Sequence, residues 1–278
     1  MLTEALQAAK RIADRAQSRT MIRELTLHGG IPALAYGQGP PLVYVRGLVP
    51  QAGNPDGRSR WVETRQMDRL ARGRTIYSVG RRPGLKAGTT MAELAADLAE
   101  AIRRKFREPV EVMGISTSGS IALQAAADHH DAVRKVVACA TAARLGPLGK
   151  QVQRECRDLL AKGEYRDAMA ALVPGLTENQ WAKGAMTRVM RLSGAPEDPD
   201  GMIAMLDAED GYDLACENIA APTLLIAGEH DLVYPRELAE QTAQRIPGAQ
   251  LKLYAGRGHM GVLRDKDFHP DIIRFLVN

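Results

Sequence analysis

The chain has 278 residues, 45% of them hydrophobic and 25% charged, with a net charge of +4. That length and composition allow one large hydrophobic core with a small appendage, and they exclude a disordered or fibrous chain. The mild positive charge, with only 4% aromatic residues, argues against nucleic-acid binding, and the arginine clusters at 81–82 and 103–107 read as solvated faces.

Residues 1–20 place Leu2, Ala5, Leu6, Ala9, Ile12, Ala13 and Ala16 at helical spacing, and we expect a separate N-terminal helix there. Its apolar face is mostly alanine, too weak to insert into a membrane surface, and it has no apolar core of a secretory signal. It is a candidate docking element for the body or for a second copy of the chain. No run reaches the ~18 apolar residues of a membrane span. Cys139, Cys156 and Cys216 are distant and odd in number, with no CxxC pair, which points away from a disulfide framework or a zinc site and toward a reducing cytoplasm.

Short β-rich runs follow at 21–27 (MIRELTL), 31–36 (IPALAY) and 42–45 (LVYV), separated by glycine-rich turns that suggest antiparallel hairpins. The rhythm then alternates. Helix is expected at 60–71, strand at 75–79, helix at 91–106 and strand at 110–115. Helix at 118–127 and strand at 135–140 follow. Thr89 or Thr90 with Glu93 forms a capping box for the long helix. Alternating strands and helices imply parallel pairing through right-handed crossovers. From 144 to 210 the pattern is helical only, broken by LGPLGKQ, LVPGLTE and SGAPEDPDG. Alternation resumes with strand 222–227, helix 238–245, strand 250–254 and helix 270–277. We find no internal repeat and no low-complexity tract.

The stretch VMGISTSGSIAL turns a strand directly into a helix at Ser116. Such a corner cramps the backbone, requires small residues two positions away (Gly114, Ser118), and lifts the serine hydroxyl clear of the sheet at a helix N-terminus. An ordinary Gly/Ser turn would read the same way. Two later loops decide between them. AGEHD places Asp231 after the strand PTLLI, and GRGHMG places His259 after the strand QLKLY. The order Ser, Asp, His, each after its own strand, is that of a nucleophile, an orienting acid and a base.

On these segments the chain resembles the α/β-hydrolase fold superfamily from about residue 22 to 277. PTLLIAGEHDLVYP is similar to the superfamily's acid segment and YAGRGHMG to its histidine segment. The resemblance implies an α/β fold, with a mostly parallel eight-stranded sheet flanked by helices. It divides the chain into the N-terminal helix at 1–20, a core at 21–143 and 211–278, and a helical cap at 144–210. It implies Ser116, Asp231 and His259 as catalytic residues, and the backbone N–H groups of Leu48 and Thr117 as the oxyanion hole. The family usually carries His-Gly where this chain has Arg46-Gly47, which puts the shape of the loop 47–56 in question, and its Asp-x-Arg-Gly-x-Gly loop is degraded to GRRPGLKAG. His129, His130, His269 and Glu229 are weaker alternatives at their positions.

The expected reaction is hydrolysis of a carboxylic ester or lactone of a medium-sized apolar small molecule through an acyl-enzyme, a route that requires no metal and no cofactor. C–C bond hydrolysis and cofactor-free haloperoxidase chemistry use the same three residues, and a low-turnover ligand-binding member of the fold is a further alternative. Trp181, Met186, Met190 and Met260 are the candidate substrate contacts; for any single residue of the methionine-rich cap, Trp181, Met186 and Met190 included, packing within the cap's own small core is an equal reading.

Overall fold

The computed structural model describes residues 21–278 apart from Glu178 and Ser193. The expected helix at 1–20 lies outside the described residues. Eight strands form one sheet: β1 (Arg23–Thr26), β2 (Pro32–Gly37), β3 (Pro41–Val45), β4 (Thr75–Val79), β5 (Val110–Ile115), β6 (Val133–Cys139), β7 (Thr223–Gly228) and β8 (Gln250–Tyr254). Their spatial order is β1-β2-β4-β3-β5-β6-β7-β8. Pairing is antiparallel from β1 to β2 and from β2 to β4, and parallel everywhere else.

Helices cover both faces. α1 (Gly57–Ala71) follows β3, α2 (Met91–Lys105) follows β4 and α3 (Thr117–Asp128) follows β5. The last two are α9 (Arg236–Arg245) and α10 (Phe268–Val277). One face of the sheet packs Val112, Val136 and Leu225 under α2 and α3, and the other packs Met113, Val137 and Ile226 under α1 and α10. Because both faces are covered, the central strands read as continuous apolar runs rather than alternating ones. Glu111 interrupts that pattern in β5, and its buried carboxylate is met by Arg74 at 2.6 Å and Arg134 at 3.0 Å. α2 starts where its capping box predicts: Thr90 Oγ1 accepts from the Glu93 N–H, and Glu93 Oε2 accepts from the Thr90 N–H.

One expectation fails. The turn at 37–41 does not close a hairpin, because β4 inserts between β2 and β3. Both edges of β3 are taken by parallel partners, β4 and β5. A four-residue apolar run such as LVYV is equally the signature of a buried central strand. The turn packs on the end of α1 instead, where a Cβ at Gly37 would sit 2.5 Å from the Arg74 carbonyl oxygen and one at Gly39 2.5 Å from that of Gly73.

Between β6 and β7 lie α4 (Pro147–Ala161), α5 (Tyr165–Ala171), α6 (Val173–Leu176), α7 (Gln180–Leu192) and α8 (Pro199–Asp210). Among the described residues this stretch contains no strand. Cys156, Leu160, Met169, Met202 and Leu206 form a core of its own, so Met202 serves packing. The three cysteines are free and buried, and burial raises all three thiols, that of Cys156 to about 12. Among the described residues, no helix is long and apolar enough to cross a membrane.

Candidate active site

The corner between β5 and α3 holds Ser116 at φ 58°, ψ −131°, one of two non-glycine residues with positive φ among the described residues. Such a conformation costs on the order of 1–3 kcal/mol and persists only where the surroundings fix it. Here the Ser116 N–H donates to Cys139 O at 2.9 Å and its carbonyl accepts from Gly119 N at 2.7 Å. A Cβ on Gly114 would fall 2.1 Å from the Ser118 carbonyl oxygen, so only glycine fits. Ser118, the small residue on the other side of the corner, folds back: its Oγ donates to Ile115 O at 2.9 Å and accepts from Ile115 N at 2.8 Å.

The ends of β7 and β8 supply the other two groups. They are pressed together at Gly228, where a Cβ would lie 2.4 Å from Arg257 O, and the His230 N–H donates to that same carbonyl at 2.8 Å. Asp231 Oδ1 accepts the N–H groups of Val233 (2.8 Å) and Tyr234 (2.9 Å), leaving Oδ2 to meet His259 Nδ1 at 2.8 Å. His259 Nε2 lies 3.0 Å from Ser116 Oγ. Asp231 and His259 are both 4% exposed. A carboxylate is an acceptor only, so it places the ring proton on Nδ1 and frees Nε2 to accept from the serine hydroxyl. Tyr234 stacks on the imidazole at 5.9 Å between centroids.

Ser116, Thr117, His259, Gly47 and Leu48 line one cavity of about 300 Å³. Its remaining wall is mainly apolar: Val152, Met169, Leu172, Leu176, Val233 and Leu263 contribute to it. Met190 and Met260, two of the expected contacts, line it as well. Met186 lines a neighbouring cavity of about 330 Å³ that shares Leu176 and Met260 with the first. Trp181 is not brought to this wall; its side chain points to solvent and the residue is 90% exposed. Thr117 is the first residue of α3, where a backbone N–H has no intrahelical acceptor.

The weaker alternatives lie elsewhere. His129 Nδ1 is 3.4 Å from Arg103, and burial lowers its pKa. His269 Nε2 donates to Gln66 O at 2.8 Å, and burial lowers its pKa too. Glu229 accepts from Gly256 N at 2.9 Å.

Arg46, where the family usually carries histidine, is 5% exposed. Its guanidinium donates to Pro32 O (2.8 Å), Gly53 O (2.9 Å), Asn54 Oδ1 (2.9 Å) and Ser78 O (3.3 Å). It thereby ties the loop after β3 to the ends of β2 and β4. Gly47 follows closely over the serine corner, with its Cβ position 3.4 Å from Ile115 O.

A second buried cluster was not visible in the sequence. Glu209, at the end of α8, is fully buried. Its Oε2 accepts from Thr117 Oγ1 at 2.6 Å and Gln153 Nε2 at 2.8 Å, and its Oε1 from Ser120 Oγ at 3.1 Å and from the Tyr234 hydroxyl. Burial first, and the Glu209 carboxylate next, push the Tyr234 hydroxyl pKa well above its ordinary value, which keeps it a donor.

The family model described as serine aminopeptidase, S33, matches residues 77–267, over half of the chain. A pimeloyl-[acyl-carrier protein] methyl ester esterase from Neisseria meningitidis serogroup A is 26% identical over 188 residues, covering 64% of this chain and 60% of the relative, less than two thirds of its length. Among solved structures, the enol-lactonase from Burkholderia xenovorans LB400 is similar with a TM-score of 0.74 and 20% identity, over 92% of this chain and all of that one (100%). A meta-cleavage product hydrolase from Pseudomonas fluorescens IP01 is similar with a TM-score of 0.69 and 15% identity, over 92% and 97% of the two chains.

Proposed function

We propose that this chain, which belongs to the serine aminopeptidase S33 family of α/β hydrolases, hydrolyses a carboxylic ester or lactone through an acyl-enzyme on Ser116. The observation that carries the reading is the hydrogen-bond series Asp231–His259–Ser116, at 2.8 and 3.0 Å, opening on an apolar cavity. Ser116 Oγ attacks the acyl carbonyl as its proton passes to His259 Nε2. The imidazolium so formed is held by Asp231, and it returns the proton to the leaving alcohol. The developing oxyanion sits against the N–H groups of Leu48 and Thr117, each such donor contributing about 3 kcal/mol to the transition state. Water, deprotonated by His259, then releases the acid and restores Ser116.

The helices of 144–210 act as the cap in this reading, with Val152, Met169, Leu172, Leu176 and Met190 as its apolar contribution to the acyl wall. An aminopeptidase would need an anion for the substrate's terminal ammonium. Among the described residues lining the cavity there is no Asp or Glu, which favours an uncharged acyl group. C–C bond hydrolysis is the second reading, supported by likeness to the meta-cleavage product hydrolase.

The test is labelling with a fluorophosphonate probe beside turnover of p-nitrophenyl butyrate. The wild type takes label on Ser116 and cleaves the ester. Ser116→Ala takes no label and loses at least about 10⁴-fold in kcat. A folded wild type that takes no label refutes the nucleophile. Labelling with cleavage of a vinylogous diketone and of no ester or lactone moves the assignment to C–C hydrolysis.

A further inference from the structure

The cavity at Ser116 has two unlike sides. The cap side is apolar. The core side includes two polar side chains, Tyr44 from β3 and Gln66 from α1, together with Leu263, four residues after His259. Tyr44 shares one packed cluster with Met67 of α1 and with Leu263. The Gln66 carbonyl accepts from His269 Nε2 at 2.8 Å, where α10 begins. These contacts hold both residues in the core but leave their polar ends unused. Tyr44 is 9% exposed, and a buried tyrosine hydroxyl ordinarily has a partner. Among the described residues, neither this hydroxyl nor the Gln66 side-chain amide makes a hydrogen bond, and neither is closed off from water. Burial raises the Tyr44 pKa above its ordinary value, which keeps the hydroxyl protonated and able to donate. Polar groups left open at the wall of a mainly apolar cavity are the type that orient a ligand.

We infer that the Tyr44 hydroxyl and the Gln66 amide form a polar subsite for the alcohol part of the substrate, which carries a neutral oxygen such as a hydroxyl or a ketone. The inference rests on the esterase reading above and deepens it. Attack by Ser116 leaves the two halves of an ester on either side of the reacting carbonyl. The apolar cap wall suits the acyl half. The alcohol half takes the core side, the side from which His259 returns a proton to it. The Tyr44 O–H and the Gln66 NH2 group both donate, so an oxygen acceptor is their complement. Among the described residues no Lys or Arg lines the cavity. An anionic group would lose its water there without gaining a counter-charge, so the acceptor is a neutral one.

The experiment uses the full chain and hexanoate esters in two matched pairs, propyl against 2-hydroxyethyl and isobutyl against acetonyl. All give the same acyl-enzyme, so kcat/KM compares the alcohol halves alone. In the wild type, one oxygenated ester exceeds its alkyl counterpart by at least about tenfold, and Tyr44→Phe lowers that ratio by about the same factor. Leaving-group reactivity cannot produce the second effect, because the ester pair is the same for both enzymes. A wild type that prefers both alkyl esters overturns the inference while the esterase reading stands. An unchanged ratio in a Tyr44→Phe variant that still takes the fluorophosphonate label overturns it too. If Tyr44→Phe instead alters the preference between p-nitrophenyl 4-oxopentanoate and p-nitrophenyl pentanoate, the subsite reads the acyl half and the assignment to the alcohol fails. If Tyr44→Phe does not fold, Gln66→Leu gives the same comparison. If no ester of any alcohol turns over, the esterase reading fails and this inference falls with it.

Discussion

Asp231→Asn isolates what the buried carboxylate does for His259. In the native site, Asp231 Oδ1 accepts two backbone N–H groups, from Val233 and Tyr234. An asparagine in this position must keep its carbonyl oxygen there, because its amide group would otherwise face two donors. The amide nitrogen then takes the place of Oδ2, 2.8 Å from His259 Nδ1, and donates to it. Nδ1 must accept, so the ring proton moves to Nε2 and points at Ser116 Oγ. That nitrogen can no longer receive the serine proton. A wrong tautomer of this type lowers kcat by ~10⁴-fold, about 5 kcal/mol in the barrier. Stability should change little, within about 1.5 kcal/mol, since volume and both backbone hydrogen bonds are kept. The assay is p-nitrophenyl butyrate turnover at neutral pH, beside a urea unfolding curve. A folded Asp231→Asn enzyme that keeps more than about a tenth of the wild-type kcat/KM would show that the carboxylate does not set the tautomer.

Two further substitutions test the surrounding structure. Arg46→Met removes a buried cation that satisfies Pro32 O, Gly53 O, Asn54 Oδ1 and Ser78 O. It should cost about 3 kcal/mol in urea unfolding, through stranded acceptors, and kcat should fall with it as the Leu48 loop loses its tie; a loss below about 1 kcal/mol would contradict the role given to the guanidinium. His269→Gln keeps a donor for Gln66 O and removes a titrating group whose folded pKa is depressed by burial. A base with a depressed folded pKa binds more protons when unfolded, so its contribution is intact above the unfolded pKa of about 6.5 and is lost as pH falls below it. The wild type should lose stability between pH 7 and 5, by thermal unfolding, and the variant should lose less. His129, lowered in the same direction, contributes the residual slope.

Much of the scaffold was readable because buried parallel strands announce themselves as apolar runs between turns. Strands 75–79, 110–115 and 250–254 have the expected bounds. The candidate site was readable for a related reason: each of its three groups follows a strand end. What escaped is long-range. Nothing local says that β4 enters between β2 and β3, since pairing partners are chosen by the whole sheet. Arg46 looked like a departure of unknown effect because its four acceptors come from three separate segments. Gln153 and Glu209 carry no local signal, because Glu209 gathers partners 92, 89, 56 and 25 residues away in sequence. Trp181 looked like a substrate contact from its size and neighbourhood, yet it sits on a helix with no buried residue.

The Glu209 carboxylate also constrains how a substrate can get in. It rivets the first and last helices of the insertion, α4 and α8, to the start of α3 and to Tyr234 beyond β7. The insertion therefore cannot swing open as one flap about its two ends without parting Glu209 from three buried hydroxyl donors, those of Thr117, Ser120 and Tyr234. α7 (Gln180–Leu192), by contrast, buries none of its own residues and contributes Met190 to the cavity wall.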